Sequence, residues 1–145
     1  MLTLAKTLMA RPNFSGDWKL NRAACSLSPG ADGVKGATWH IEHREPRFHH
    51  RASFETQDKP ITFDYELLTD GSEKTATDGA TTTTGTALWD GNALLVTWRT
   101  THPGGEMRIS FRHELMDEGR QLRSMEEVRG TGHDQDNVWV FERMS

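Results

Sequence analysis

The sequence predicts an all-β protein: a single antiparallel up-and-down β-barrel of about 8–10 strands, preceded by a short N-terminal helix. Three observations lead there. Turn pairs punctuate the chain, with Asp-Gly at Asp32-Gly33, Asp70-Gly71, Asp78-Gly79 and Asp90-Gly91, and further breaks at Gly104-Gly105 and Glu118-Gly119. Asp-Gly between alternating apolar runs signals a hairpin, because the central residues of a tight turn need positive φ. Between the breaks, apolar residues recur at every second position, the period of a half-buried strand. Finally, only 34% of the 145 residues are hydrophobic, with 13 glycines besides. That is lean for a chain of this length and suits a one-layered closed sheet better than a thick dry core. Two packed sheets in a sandwich are the alternative.

Residues 1–12 place Leu4, Leu8 and Met9 at helical spacing and predict the short helix. Nine strands follow, near 16–22, 36–44, 47–56, 60–68, 81–89, 93–101, 106–115, 120–129 and 136–143. The stretch 21–35, with Pro29, Gly30 and Gly33, reads as a loop. Parity then sorts the faces. Trp39, Ile41 and His43 share one side of the second strand, and Phe48, His50, Ala52 and Phe54 one side of the third. Ile61, Phe63, Tyr65 and Leu67 form the next inward row, followed by Leu94, Val96 and Trp98. Met107, Ile109, Phe111, His113 and Leu115 oppose Arg108, Ser110, Arg112 and Glu114. Leu122, Ser124, Glu126 and Val128 complete the interior, while the last strand offers two apolar rows, Val138/Val140 and Trp139/Phe141. Closure of the sheet removes the exposed edges that so many strands would otherwise have to protect.

Composition excludes several classes. The net charge of −4 argues against a nucleic-acid grip built on a broad basic face. The longest apolar run, Ala93-Leu94-Leu95-Val96, is far too short for a membrane span. A single cysteine, Cys25, rules out an intrachain disulfide and any multi-cysteine metal cluster. The first residues carry one lysine and little continuous hydrophobicity, so a cytoplasmic location is expected, with a truncated leader as the alternative. The whole chain, 1–145, is expected to form one domain, as a monomer or homodimer.

The segment Asn13-Phe14-Ser15-Gly16-Asp17-Trp18-Lys19-Leu20-Asn21 resembles the opening of calycin barrels, the lipocalins and fatty-acid-binding proteins. The ending Val138-Trp139-Val140-Phe141-Glu142-Arg143 is similar to the last strand of fatty-acid-binding proteins, as are the hairpins around Trp89-Asp90-Gly91 and Glu118-Gly119. The chain as a whole resembles small bacterial lipocalin-like proteins that open with Phe-Ser-Gly-x-Trp-Lys-Leu-Asn and close with Val-Phe-Glu-Arg. The resemblance implies a barrel whose closed end is plugged by Phe14 and Trp18 and whose lumen takes a small apolar molecule. It also implies a contrast. Fatty-acid-binding proteins hold the ligand carboxylate with an Arg-x-Tyr pair in the last strand, where this chain has Trp139 and Phe141. The helix pair that lids their barrel is replaced by the loop 21–35. A fatty-acid carboxylate is therefore not the expected ligand, and the wider cup of a lipocalin fits the loop better.

The inward rows nominate the functional residues. Phe63, Tyr65, Trp98, Phe111 and Trp139 are candidates for an apolar ligand wall, with His43, His50, His113 and Glu126 orienting a polar group. His113 and Glu126 lie on the two strands flanking the Glu118-Gly119 turn, on one face, where a carboxylate beside an imidazole makes a general base. Two functions follow. The first is a module that binds a small hydrophobic or aromatic molecule in the lumen. The alternative is a small barrel enzyme of isomerase, cyclase or hydratase type, with His113 and Glu126 as its acid/base pair. A filled barrel acting only through its surface is a third possibility. No cofactor and no metal is assigned: adjacent His49 and His50 face opposite ways, and a zinc site would need His43, His50 and His113 to converge. A haem ligand, if one existed, would be His50 or His113. Cys25 has no adjacent base, and no Gly-x-Ser-x-Gly elbow occurs.

Overall fold

The computed structural model describes residues 11–144 except 131 and 133. Ten antiparallel strands make one sheet: β1 (Gly16–Leu20), β2 (Gly36–Arg44), β3 (Arg47–Glu55), β4 (Ile61–Leu68), β5 (Lys74–Asp78), β6 (Thr81–Asp90), β7 (Ala93–His102), β8 (Gly105–Met116), β9 (Gln121–Arg129) and β10 (Gln135–Arg143). Strands adjacent in the chain pair with one another, except β4 and β5, and β1 also pairs with β10. The sheet thus curls into a nearly closed barrel with one seam, between β4 and β5. The sandwich alternative is excluded.

The expected strands are present, with three differences. β1 ends at Leu20 rather than 22, because Arg22–Ala24 form a single 3-10 turn. A tenth strand, β5, escaped the periodicity argument. Its residues Lys74-Thr75-Ala76-Thr77-Asp78 are all exposed and lack the apolar alternation that marks a buried face. Its pairing with β6 relies on backbone bonds and a Thr75–Thr84 hydroxyl contact of 3.1 Å. The barrel also retains the edges that full closure would have removed. The turns differ by one residue: Asp78 and Asp90 end their strands, and Gly79-Ala80 and Gly91-Asn92 are the turn residues. The helix expected over 1–12 lies outside the described residues, apart from Arg11 and Pro12, which are irregular.

The β2–β3, β4–β5, β6–β7 and β8–β9 connections gather at one end of the barrel, which is closed. Phe14, Trp18, Phe48, Leu94, Leu122 and Phe141 are completely buried there. Phe14 stacks on His43 and Trp89 at centroid distances of 5.8 and 6.1 Å. Beneath this plug sits a polar knot. The Glu45 carboxylate accepts from His43 Nε2 (2.7 Å), Thr69 Oγ1 (2.9 Å) and Trp89 Nε1 (3.2 Å), tying β2, β6 and the β4–β5 connection together. Burial raises the Glu45 pKa, but these hydrogen bonds outweigh it and hold the group below the usual carboxylate value.

The first and last strands meet at Trp18. Its Nε1 donates to Phe14 O (3.0 Å), and the Arg143 guanidinium lies 4.2 Å over the ring. Arg143 also donates to Ser15 O (2.6 Å) and Gly119 O (3.0 Å). Gly16, at φ +142°, makes room: a Cβ there would stand 2.5 Å from the guanidinium. Removing the indole with Trp18→Ala is expected to cost about 3–5 kcal/mol, the range for deleting a large buried aromatic. Chemical denaturation of the two proteins side by side measures it, and a loss under about 1 kcal/mol would show that the plug is dispensable.

Candidate functional site

Above the plug the lumen is hollow. A cavity of about 640 Å³ runs from a mouth bordered by Ala31, Val34, Ile61, Val128 and Gln135 to a floor of Trp39, His50 and His113. Its wall is aromatic and aliphatic: Phe54, Phe63, Tyr65, Trp98, Ile109, Phe111 and Trp139. This volume lies within the roughly 300–1,000 Å³ of small-molecule sites. A filled barrel is therefore excluded.

Strand parity places most of these side chains, and packing across the seam completes the wall. Trp98 on β7 lies over Gly85 on β6, where an added Cβ would be 2.3 Å from the ring. The missing side chain lets the indole reach across β6 to meet Tyr65 of β4 edge-on at 4.9 Å. Tyr65 in turn packs against Phe63 and bonds His50 Nδ1 through its hydroxyl at 3.0 Å. At its plugged end the seam is held by the Gly71 N–H donating to Ala87 O (2.9 Å) and by Lys74 Nζ donating to Glu66 O (3.2 Å).

The floor is a stack of rings. His113 lies between Phe48 and Phe111, at 5.9 and 5.8 Å, with Trp39 and His50 edge-on at 5.7 and 6.0 Å. His113 forms no hydrogen bond through either ring nitrogen, and His50 Nε2, Trp39 Nε1 and Ser124 Oγ also have no partner among the described residues. Burial pushes the His113 pKa down to about 3. It also pushes His50 well below the ordinary histidine value, with smaller repulsions from His113 and His49. Burial raises the Tyr65 phenol. At neutral pH the floor therefore carries neutral donors and acceptors.

Glu126 belongs to a different cluster, nearer the mouth. Its Oε1 accepts from Trp139 Nε1 and Asn137 Nδ2, both at 3.0 Å. Asn137 Oδ1 in turn accepts from the backbone and hydroxyl of Ser28, at 2.8 and 2.9 Å. This chain of bonds straps the loop 21–35 to the barrel, helped by the Ser26–Val138 bridge. His113 stands opposite Ser124 on β9, while Glu126 stands opposite Phe111, so no hydrogen bond joins the two candidate catalytic residues.

His50, Phe63, Tyr65, Trp98, Phe111, His113, Glu126 and Trp139 all line the cavity. His43 does not. Its Nδ1 accepts from the Phe14 N–H at 3.2 Å and its Nε2–H donates to Glu45, so the ring serves the closed end. Parity gave its face correctly but not its depth along the axis. For the same reason His43, His50 and His113 do not form one ligand set, and no metal-holding group of three occurs among the described residues. Asn137 and Gln135 were missed, although Asn137 shares the inward parity of Trp139 and Phe141. The loop residues Ala31 and Val34 carried no periodic signal to find them by.

No protein-family model matches the chain, and no curated protein matches it by sequence. Solved structures do match by fold. A secretory abundant heat soluble (SAHS) protein from Ramazzottius varieornatus superposes with TM-score 0.58 and 15% identity, over 90% of this chain and 94% of that one. A zebrafish ileal bile acid-binding protein complexed with cholic acid gives 0.57 and 12%, over 90% and 98%. A Schistosoma mansoni fatty acid binding protein in complex with arachidonic acid gives 0.51 and 14%, over 91% and 96%. The chain has the barrel fold of these proteins. The narrower resemblance to small bacterial proteins has no counterpart among the three.

Two outcomes are expected. His50 and His113 stay neutral in the folded protein while unfolded histidines protonate near pH 6.5, so the unfolded chain binds more protons below that pH. Stability is fully present above about pH 6.5 and falls as pH drops toward 4, at up to about 1.4 kcal/mol per pH unit for each histidine. Denaturation midpoints between about pH 7.5 and 4.5 should show a shallower slope for His113→Leu than for the parent; equal slopes would refute the assignment. Separately, Gly85→Ala must displace the Trp98 indole, costing about 1–3 kcal/mol. Tryptophan emission should shift with it, and an unchanged spectrum and midpoint would argue against the close approach.

Proposed function

We propose that this protein binds a small hydrophobic or aromatic molecule in its lumen. The observation that carries the reading is the aromatic-walled cavity of about 640 Å³, held open above a densely packed plug. Cavities in barrel interiors of this size cost packing contacts, and an apolar occupant restores them. Each 100 Å² of apolar ligand surface removed from water contributes about 2.5 kcal/mol before the costs of association. The fold supports the reading by analogy, since two of the matching structures contain cholic acid and arachidonic acid.

The enzyme alternative drew on a His113–Glu126 pair. Glu126 is engaged by Asn137 and Trp139, and among the described residues no carboxylate bonds His113, so binding is the better-supported function. Phe63, Tyr65, Trp98 and Phe111 serve as the contact wall, and Glu126 fixes Trp139 in place. Among the described residues no helix is long and apolar enough to cross a membrane. We take the working unit to be a monomer or homodimer.

The test fills the cavity. An apolar fluorescent probe such as 1-aminoanthracene is expected to bind the parent protein with a blue-shifted emission. Ile109→Trp, which places an indole in the lumen, should weaken probe binding by about tenfold or more while the thermal midpoint stays within a few degrees. Undiminished binding by this variant would place the probe outside the barrel and sink the reading.

A further inference from the structure

The floor of the cavity differs in chemistry from its walls. Trp39, His50 and His113 are each 1% exposed and pack ring against ring, with centroids 4.4, 5.7 and 6.0 Å apart. Between them they carry four polar atoms without a partner among the described residues: Trp39 Nε1, His50 Nε2 and both nitrogens of His113. Buried polar atoms are nearly always hydrogen-bonded. These four, on three touching rings at the blind end of an apolar cavity, have almost no surface of their own open to the lumen, so an occupant's polar atom reaches them where the rings part to admit it.

Their chemistry specifies that occupant. An indole N–H only donates, while a neutral imidazole offers one donor and one acceptor. An oxygen that accepts, or both donates and accepts, matches this set. Charge narrows the choice further. Among the described residues no lysine or arginine lines the cavity, and its two carboxyl side chains are those of Asp64 and Glu126. Asp64 is paired with His49 at 2.5 Å. The imidazoles of the floor are too deeply buried to supply a cation at neutral pH. An anionic head would be desolvated with no counter-charge and with the Glu126 carboxylate above it.

We infer that the lumen selects uncharged apolar molecules whose inner end carries a hydroxyl or carbonyl oxygen, held by Trp39, His50 and His113, and rejects carboxylates of the same length. The inference rests on the proposed lumen-binding function and specifies its ligand class.

Competition against the bound apolar probe tests it on the full chain at about pH 7.5. The competitors are 1-decanol, 2-decanone and decanoate, matched in length and kept below their aggregation limits. The alcohol and the ketone are expected to displace the probe at about tenfold lower concentration than decanoate or better. Trp39→Phe and His113→Phe keep the rings but delete polar atoms, and each should narrow the alcohol-to-carboxylate ratio to within about threefold. If the probe binds and decanoate competes as well as decanol, the inference falls while the binding function stands. The assignment to Trp39 and His113 also falls if the parent discriminates and folded variants discriminate equally. If the probe and all three competitors fail to bind, the binding function itself fails and the inference with it. The comparison on the parent protein decides the ligand class even where a variant does not fold.

Discussion

The barrel depends on one junction, where the first strand meets the last. β1 contributes only Trp18, Lys19 and Leu20 to its register with β10, against nine pairs between β2 and β3. So short a ladder would be a weak hinge if backbone bonds alone held it. The Trp18 indole and the Arg143 guanidinium strengthen it from the side, each bonded to backbone of the same corner. Arg143 reaches Gly119 as well, so the β8–β9 turn joins the same clasp. With β1 and β10 fixed, the remaining strands follow by hairpins, and the sheet has no choice but to curl.

Curling creates two ends with different fates. At the end where β1 begins, Phe14 and Phe48 fill the bore and the Glu45 carboxylate bonds side chains from β2, β6 and the β4–β5 connection. At the other, the loop 21–35 leaves a mouth and is strapped along β10 by Ser28, Asn137 and Glu126. The cavity between them needs a wall across the unpaired seam. Trp98, leaning over Gly85 to Tyr65, supplies it with aromatic packing in place of backbone bonds. The lumen is thus wide because the seam is not zipped, and walled along that seam because an indole spans it.

Sequence parity read the interior well. Every residue in the rows through Trp39, Phe48, Leu94 and Leu122 points inward, since a strand with one buried face can hold only one register. It read position along the axis poorly. His43 and His50 share a parity on neighbouring strands, yet one ring belongs to the plug and the other to the cavity floor. Ile61 has inward parity and is 57% exposed, because its strand begins at the rim. β5 was illegible for a different reason. An exposed edge strand buries nothing, so no hydrophobic period is selected into it.

The sequence by itself determined the class of fold, the hairpin order and the face of nearly every side chain, because period and turn chemistry are local properties of the chain. It also determined that the last strand lacks the Arg-x-Tyr pair, since that is a matter of residue identity. Only the tertiary structure decided that the lumen is hollow and that Trp39, His50 and His113 share its floor. It alone separated Glu126 from His113 and gave it to Asn137 and Trp139. Those outcomes depend on how far around the barrel and how far along its axis two strands sit, and that is fixed by stagger and closure, which are properties of the whole sheet.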